Sequence, residues 1–202
     1  MDKMSILLSK ANKAIKAGML IGLGGLVYLS VDYKVFGAFL FSFGLITIIA
    51  QGYSLYTGAI GHFAHIKEIP TYMFMLVVNL LGAWMIGLVA KYCTSVEATT
   101  LVTNKLSQPL STVFIMSMVC GVLMYLGVTT TKATKNPLYA SMAVMLFILI
   151  GAEHCIANMF YFTVDDALSS LEAIKFMVVN ILGNSLGAIS WATMAKFPTY
   201  FS

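Results

Sequence analysis

A chain of 202 residues that is 59% hydrophobic and only 10% charged, with a mean hydropathy of +0.89, is built for lipid; soluble domains carry about 25% charged residues. Its net charge of +4 rests on twelve lysines and no arginine, and its three cysteines lack disulfide-framework or metal-ligand spacing. These features leave no room for a soluble catalytic domain and offer no nucleic-acid-binding surface.

A hydrocarbon core of about 30 Å takes about 20 apolar residues per helix, and six stretches are expected to span it: 15–31, 35–56, 71–93, 110–131, 138–163 and 174–197. Residues 1–16 are basic and precede an apolar run. GMLIGLGG continues into a full span without a small-residue cleavage site, so the segment is expected to be a short interfacial helix. Span two ends in QGYSLYTGAIGH, where Gly52, Ser54, Thr57, Gly58 and Gly61 stand in place of lipid-facing aliphatics. His62 and His65 follow; without further ligands nearby they are expected at the solvated interface and not in a metal site. Gly18 and Gly22, like Gly183 and Gly187, have a four-residue spacing that lets helices approach closely. Cys93, Cys120 and Cys155 are expected as packing residues.

Span five, LYASMAVMLFILIGAEHCIANMFYFTV, carries Glu153, His154 and Asn158 in its second half. An ionisable residue inside a span costs roughly 2.5–3.5 kcal/mol on insertion scales, so such a group is expected to face the protein interior or a solute path. Irregular backbone at membrane depth is tolerated only where it is buried or lines a cavity. The polar breaks in spans two and five are therefore expected on one path.

An even span count puts both termini on one side, with Lys3, Lys10, Lys13, Lys16, Lys67, Lys132, Lys135 and Lys196. The other side has Lys34, Lys91, Lys105 and Lys175 beside Asp32, Glu97, Asp165, Asp166 and Glu172. Positive charge gathers inside, so a multi-pass protein of the inner (plasma) membrane with cytoplasmic termini is expected. Asn79-Leu80-Leu81-Gly82 matches Asn180-Ile181-Leu182-Gly183 at an offset of 101, which also carries Thr57 onto Asn158. Three spans per half turn the second copy over, so one domain over 1–202 with repeats at about 1–100 and 101–202 is expected, with a solute site where broken helices two and five meet.

The block Gly151-Ala152-Glu153-His154-Cys155-Ile156-Ala157-Asn158-Met159 resembles the G-x-E-H-x-x-A-N-M motif of the formate/nitrite transporter family, small-anion channels that include hydrosulfide channels. Leu55-Tyr56-Thr57-Gly58 is similar to that family's second-span L-F-T-G element, and Asn180 to Asn184 to its sixth-span asparagine-glycine motif. Lys105, four residues before Pro109, fits the family's lysine ahead of span four. The resemblance implies an all-α, aquaporin-like protomer of six transmembrane helices with an inverted 3+3 repeat, assembled as a homopentamer with one pore per subunit. It implies that His154 faces Thr57 between hydrophobic constrictions, with Phe41, Leu45, Leu55 and Phe147 as the constriction residues. It also makes Glu153 a scaffold residue, expected to bond backbone N–H groups freed by the break in span two, with Asn180 and Asn184 supporting the pore. Two positions depart from the family pattern: Ser54, usually acidic, and Gly121, usually asparagine.

The expected function is thus a channel, not an enzyme, for formate, nitrite, hydrosulfide or a similar monovalent anion or its conjugate acid, with a histidine gate and pH-dependent flux. Lys105 would gather anions at the outer mouth, His154, Thr57 and Asn158 would line the path, and no cofactor or metal is called for. The alternative is an aquaporin-like pore for a small neutral solute, against which the absence of paired N-P-A motifs counts. An intramembrane enzyme would need a nucleophile or metal ligands, and neither H-E-x-x-H nor G-x-S-x-G is present.

Overall fold

The computed structural model describes residues 3–195, whose regular structure is all helix, joined by short irregular segments, with no strand. In chain order the helices are α1 (Lys3–Ser30), α2 (Lys34–Ala50), α3 (Tyr56–Ala59), α4 (Ile69–Cys93), α5 (Thr99–Leu106), α6 (Leu110–Thr134), α7 (Leu138–Leu149), α8 (Cys155–Val164) and α9 (Leu171–Met194), with short 3-10 turns between some of them. Four helical stretches are long and apolar enough to cross a membrane: Met4–Ser30, Ile66–Cys93, Leu110–Thr134 and Leu171–Met194. The expected second and fifth spans are each divided, into α2 with α3 and into α7 with α8. Lys196, counted above with the terminal lysines, and the last residues of the expected sixth span lie outside the described residues.

No separate interfacial helix precedes span one. α1 runs unbroken from Lys3, because Ala14 and Ala17 bury one stripe while Lys10, Lys13 and Lys16 stay exposed on the other. The lysine heads reach out while the helix axis continues, as long cationic side chains do at an apolar boundary. The outer surface of the bundle is apolar: Phe36, Phe39, Phe43, Val77, Leu81, Leu182 and Leu186 all point outward. That surface suits lipid or a neighbouring apolar protein, not water.

Both divided segments break by the same device. Gly52 (φ +64°) and Gly151 (φ +71°) adopt the left-handed conformation that glycine enters without a Cβ penalty. Tyr53 N donates to Ile48 O (2.9 Å) and Gly52 N to Ile49 O (3.2 Å), while Ala152 N donates to Phe147 O (2.8 Å) and Gly151 N to Ile148 O (3.2 Å). This pair of bonds, six-to-one and inside it five-to-two, closes a helix C-terminus on an αL residue. Chain then runs extended for a few residues before α3 and α8 begin at the N-caps Leu55 and His154.

Similar contacts recur along the chain. α1 packs on α2 and α4, as α6 packs on α7 and α9, and α2 meets α7 between the halves. Gly18 lies so close to α4 that a Cβ there would stand 2.0 Å from Asn79 O; at Gly121 it would stand 2.2 Å from Asn184 O. Asn79 is thereby paired with Asn184 rather than with Asn180, as the sequence offset had suggested. Ser42 Oγ and Ser141 Oγ, at equivalent positions in α2 and α7, lie 3.3 Å apart where the halves meet. The buried apolar side chains form one cluster that runs through both halves.

Candidate permeation site

The ends of α3 and α8 come together at a buried pair. His154 Nε2 lies 2.9 Å from Thr57 Oγ1, with both residues almost wholly inaccessible. The hydrogen-bond network assigns the tautomer: Ala157 N donates to His154 Nδ1 at 3.2 Å, so Nδ1 is the acceptor and the neutral ring carries its hydrogen on Nε2. His154 Nε2–H therefore donates to Thr57, and the threonine hydroxyl keeps its own hydrogen for another acceptor. In capping α8 the imidazole is also fixed in orientation.

Asparagines hold the broken backbone in place. Asn79 Oδ1 accepts from Tyr56 N (2.7 Å), and its Nδ2 donates to Ala14 O (2.7 Å) and Ser54 O (2.9 Å). Asn184 does the same in the other half: Oδ1 accepts from Cys155 N (2.9 Å), and Nδ2 donates to Ser117 O (2.8 Å) and Glu153 O (2.7 Å). Each amide thus satisfies the first N–H of a half-helix and a carbonyl of the extended segment, groups that have no water to turn to at this depth. Asn180 adds a second brace on the α8 side, donating to Glu153 O (2.7 Å) and Ser117 Oγ (2.8 Å).

Glu153 does not do what its position suggested. Its carboxylate meets side chains, not the freed N–H groups of the second-span break: Lys105 Nζ donates to Oε2 in an ion pair, Asn158 Nδ2 donates to the same oxygen at 2.9 Å, and Gln108 Nε2 approaches Oε1 at 3.4 Å. Lys105 accordingly is not a free cation at a mouth; it is 9% exposed and paired. The acid is still a structural member of the site, but its partner comes from α5.

Two cavities approach the His154–Thr57 pair. One, about 70 Å³, is lined by Lys105, Phe147, His154, Asn158 and Tyr161, and it adjoins a surface hollow through Tyr28 and Leu101. The other, about 230 Å³, is lined by Ser54, Leu55, Gly58, His62, Val128 and Lys132. Of the four expected constriction residues, Phe147 and Leu55 reach these walls, one in each cavity. Phe147 stacks on the His154 ring (centroids 5.5 Å apart), and Phe41 packs edge-on against Phe147 at 5.8 Å. Phe41 and Leu45 are fully buried and line neither cavity. His62 is exposed, beside the Tyr125 ring, and His65 is exposed as well.

The two departures from the family pattern have physical readings. Gly121 has no space for any side chain, and the polar role on α6 falls one turn earlier, to Ser117. Ser54, like Glu153, lies between an αL glycine and a short helix, and its backbone N–H donates to Lys13 O at 3.4 Å. Ser117, Gln108 and Tyr161 carried no signal in the sequence; a serine, a glutamine and a tyrosine in or beside apolar helices are individually unremarked.

A family model described as "Formate/nitrite transporter" matches residues 5–197. Among solved structures, one titled "FNT family ion channel" is 20% identical over 93% of this chain and 88% of its own, with a TM-score of 0.84. Another, titled "Pentameric formate channel with formate bound", is 22% identical over 96% of this chain and 97% of its own, with a TM-score of 0.81. At such identities the likeness speaks for the fold. No curated protein sequence matches the chain.

Proposed function

Because this chain belongs to the formate/nitrite transporter family, we propose that it is a pentameric membrane channel that passes small monovalent anions as their neutral conjugate acids, with His154 and Thr57 at the crossing point. The family is one of transporters, so the protein is not an enzyme. The observation that carries the reading is the buried His154–Thr57 bond, seated where two half-helices meet, with one cavity lined by His154 and another lined by Leu55 and Gly58 close to Thr57.

In this reading each protomer crosses the bilayer six times, the divided helices counting as the second and fifth passes. The halves at about 1–100 and 101–202 are inverted copies, in an aquaporin-like arrangement. The like bonds made by Asn79 and Asn184, and the like close approaches at Gly18 and Gly121, support it. The excess of lysine on the terminal side supports cytoplasmic termini in an inner membrane. The Lys105 cavity is then the outer one and the Lys132 cavity the inner.

The chemistry follows from cost. A bare anion at the midplane loses its hydration, and an inside-negative potential opposes its entry by about 2.3 kcal/mol per 100 mV. A neutral acid escapes both. Phe147 and Leu55 exclude water on either side, His154 Nε2–H and the Thr57 hydroxyl supply hydrogen bonds between them, and Glu153 cancels the charge of Lys105, so the chamber disfavours an ion more than its acid. Flux should therefore follow the neutral fraction of the acid, falling about tenfold per pH unit above the acid's own pKa.

A pore for a neutral solute such as water or ammonia is the second reading, and the paired state of Lys105 is the observation that favours it. Proteoliposomes separate the two. Formate, nitrite, acetate and hydrosulfide gradients should each change internal pH, while an osmotic step should give no more water flux than protein-free vesicles. Water flux without any acid flux would reverse the choice.

A further inference from the structure

Tyr161 is 5% exposed, yet its hydroxyl makes no hydrogen bond among the described residues. Among the described residues the one buried side-chain polar atom without a partner is Thr131 Oγ1, so the Tyr161 oxygen is not sealed in, whereas His154, Glu153, Asn180 and Asn184 are all hydrogen-bonded. Tyr161 instead opens onto the 70 Å³ cavity, on the same face of α8 as His154, Ala157 and Asn158, at spacings of three, four and seven residues.

Asn158 complements it. Both N–H groups of its amide are committed, to Glu153 Oε2 (2.9 Å) and Asn180 Oδ1 (2.8 Å). Both of those partners are acceptors, which fixes the amide's orientation. Its Oδ1 has no donor among the described residues, and Asn158 lines the same cavity. One wall thus presents a phenolic O–H and, one turn away, an amide oxygen. The volume admits a small acid with a few waters, since one water needs about 10–15 Å³.

We propose that the Tyr161 hydroxyl and Asn158 Oδ1 form a donor–acceptor subsite that holds the permeant on the Lys105 side of His154 and selects neutral oxyacids, those carrying an O–H beside a doubly bonded oxygen. Such an acid gives its O–H to Asn158 Oδ1 and takes the Tyr161 O–H on its other oxygen. The conjugate anion has acceptors only, so one of its oxygens would face the amide oxygen without a hydrogen between them. This assignment rests on the channel reading and names the class of solute it would prefer. No bond forms or breaks in the protein; the proton travels with the acid.

The test is formate uptake into proteoliposomes over a concentration series at one acidic pH, wild type against Tyr161→Phe, which keeps the ring and its packing on Phe160. The subsite predicts that half-saturation rises about three- to tenfold, the worth of one neutral hydrogen bond, while the maximal rate moves less than twofold. Unchanged half-saturation, including a case in which only the maximal rate falls, overturns the subsite and leaves the channel reading standing. A wild type that passes hydrosulfide but no formate, nitrite or acetate overturns the subsite, and one that passes none of the four overturns the channel reading itself. If Tyr161→Phe does not assemble, 3-fluorotyrosine placed at position 161 of the otherwise native protein gives a second readout. Its fluorine resonance should shift as formate is added, and a resonance that formate leaves unmoved overturns the subsite.

Discussion

Removing one member of the Lys105–Glu153 pair is the sharpest perturbation available. The Glu153 side chain is 1% exposed and that of Lys105 11%, so either charge left alone is an uncompensated charge in a low-dielectric interior. Breaking a buried pair in this way costs about 3–5 kcal/mol. For a protein of this size, 1 kcal/mol corresponds to about 2–4 °C in Tm, so Lys105→Met or Glu153→Gln should lower Tm by about 6–20 °C. The double substitution removes both charges at once and should cost about 2 kcal/mol less than the sum of the singles. The measurement is thermal unfolding of the purified protein in detergent, followed by intrinsic fluorescence, for the four members of the cycle. Single variants within about 2 °C of wild type, or effects that simply add, would show that the pair is solvated and that the chamber retains a free cation.

Other consequences are open to measurement. Asn184→Leu strips an acceptor from Cys155 N and donors from two carbonyls, and should destabilise the protein by about 3 kcal/mol or more; a Tm near wild type would mean that the break is held by other contacts. Gly121→Asn, which restores the residue usual at that position, drives a side chain into Asn184 O and should prevent assembly or cost at least about 2 kcal/mol, read by size-exclusion chromatography; a normal elution profile would contradict the packing described. Thr57→Val keeps the shape but removes the acceptor for His154 Nε2–H. It should slow formate flux about tenfold and lower stability by about 1–3 kcal/mol, and undiminished flux would take Thr57 off the path.

Much of this arrangement was legible in the chain. The four long helices follow from apolar runs, and both breaks follow from the glycines and polar residues that interrupt them at Gly52 and Gly151. Proximity of Thr57 to His154 was expected from motif resemblance, and the geometry brings them to 2.9 Å. Other parts were hidden for physical reasons. The bond between Lys105 and Glu153 joins residues 48 apart across different helices, a contact that no local period encodes. The repeat was read at one offset from Asn-x-x-Gly strings. Matching backbone breaks at Gly52 and Gly151 and matching braces at Asn79 and Asn184 fall at other offsets. The continuous α1 was missed because lysines at positions 10, 13 and 16 look like an interface, although alanines at 14 and 17 carry the buried stripe through them.

The most direct measurement of the central claim is formate-driven acidification inside proteoliposomes from about pH 5.5 to 8, wild type beside His154→Phe, with the elution profile in detergent compared for both. The account predicts a wild-type rate that falls with the neutral acid fraction and a variant at the protein-free baseline throughout. An intact variant that keeps both the wild-type rate and its pH slope would contradict it.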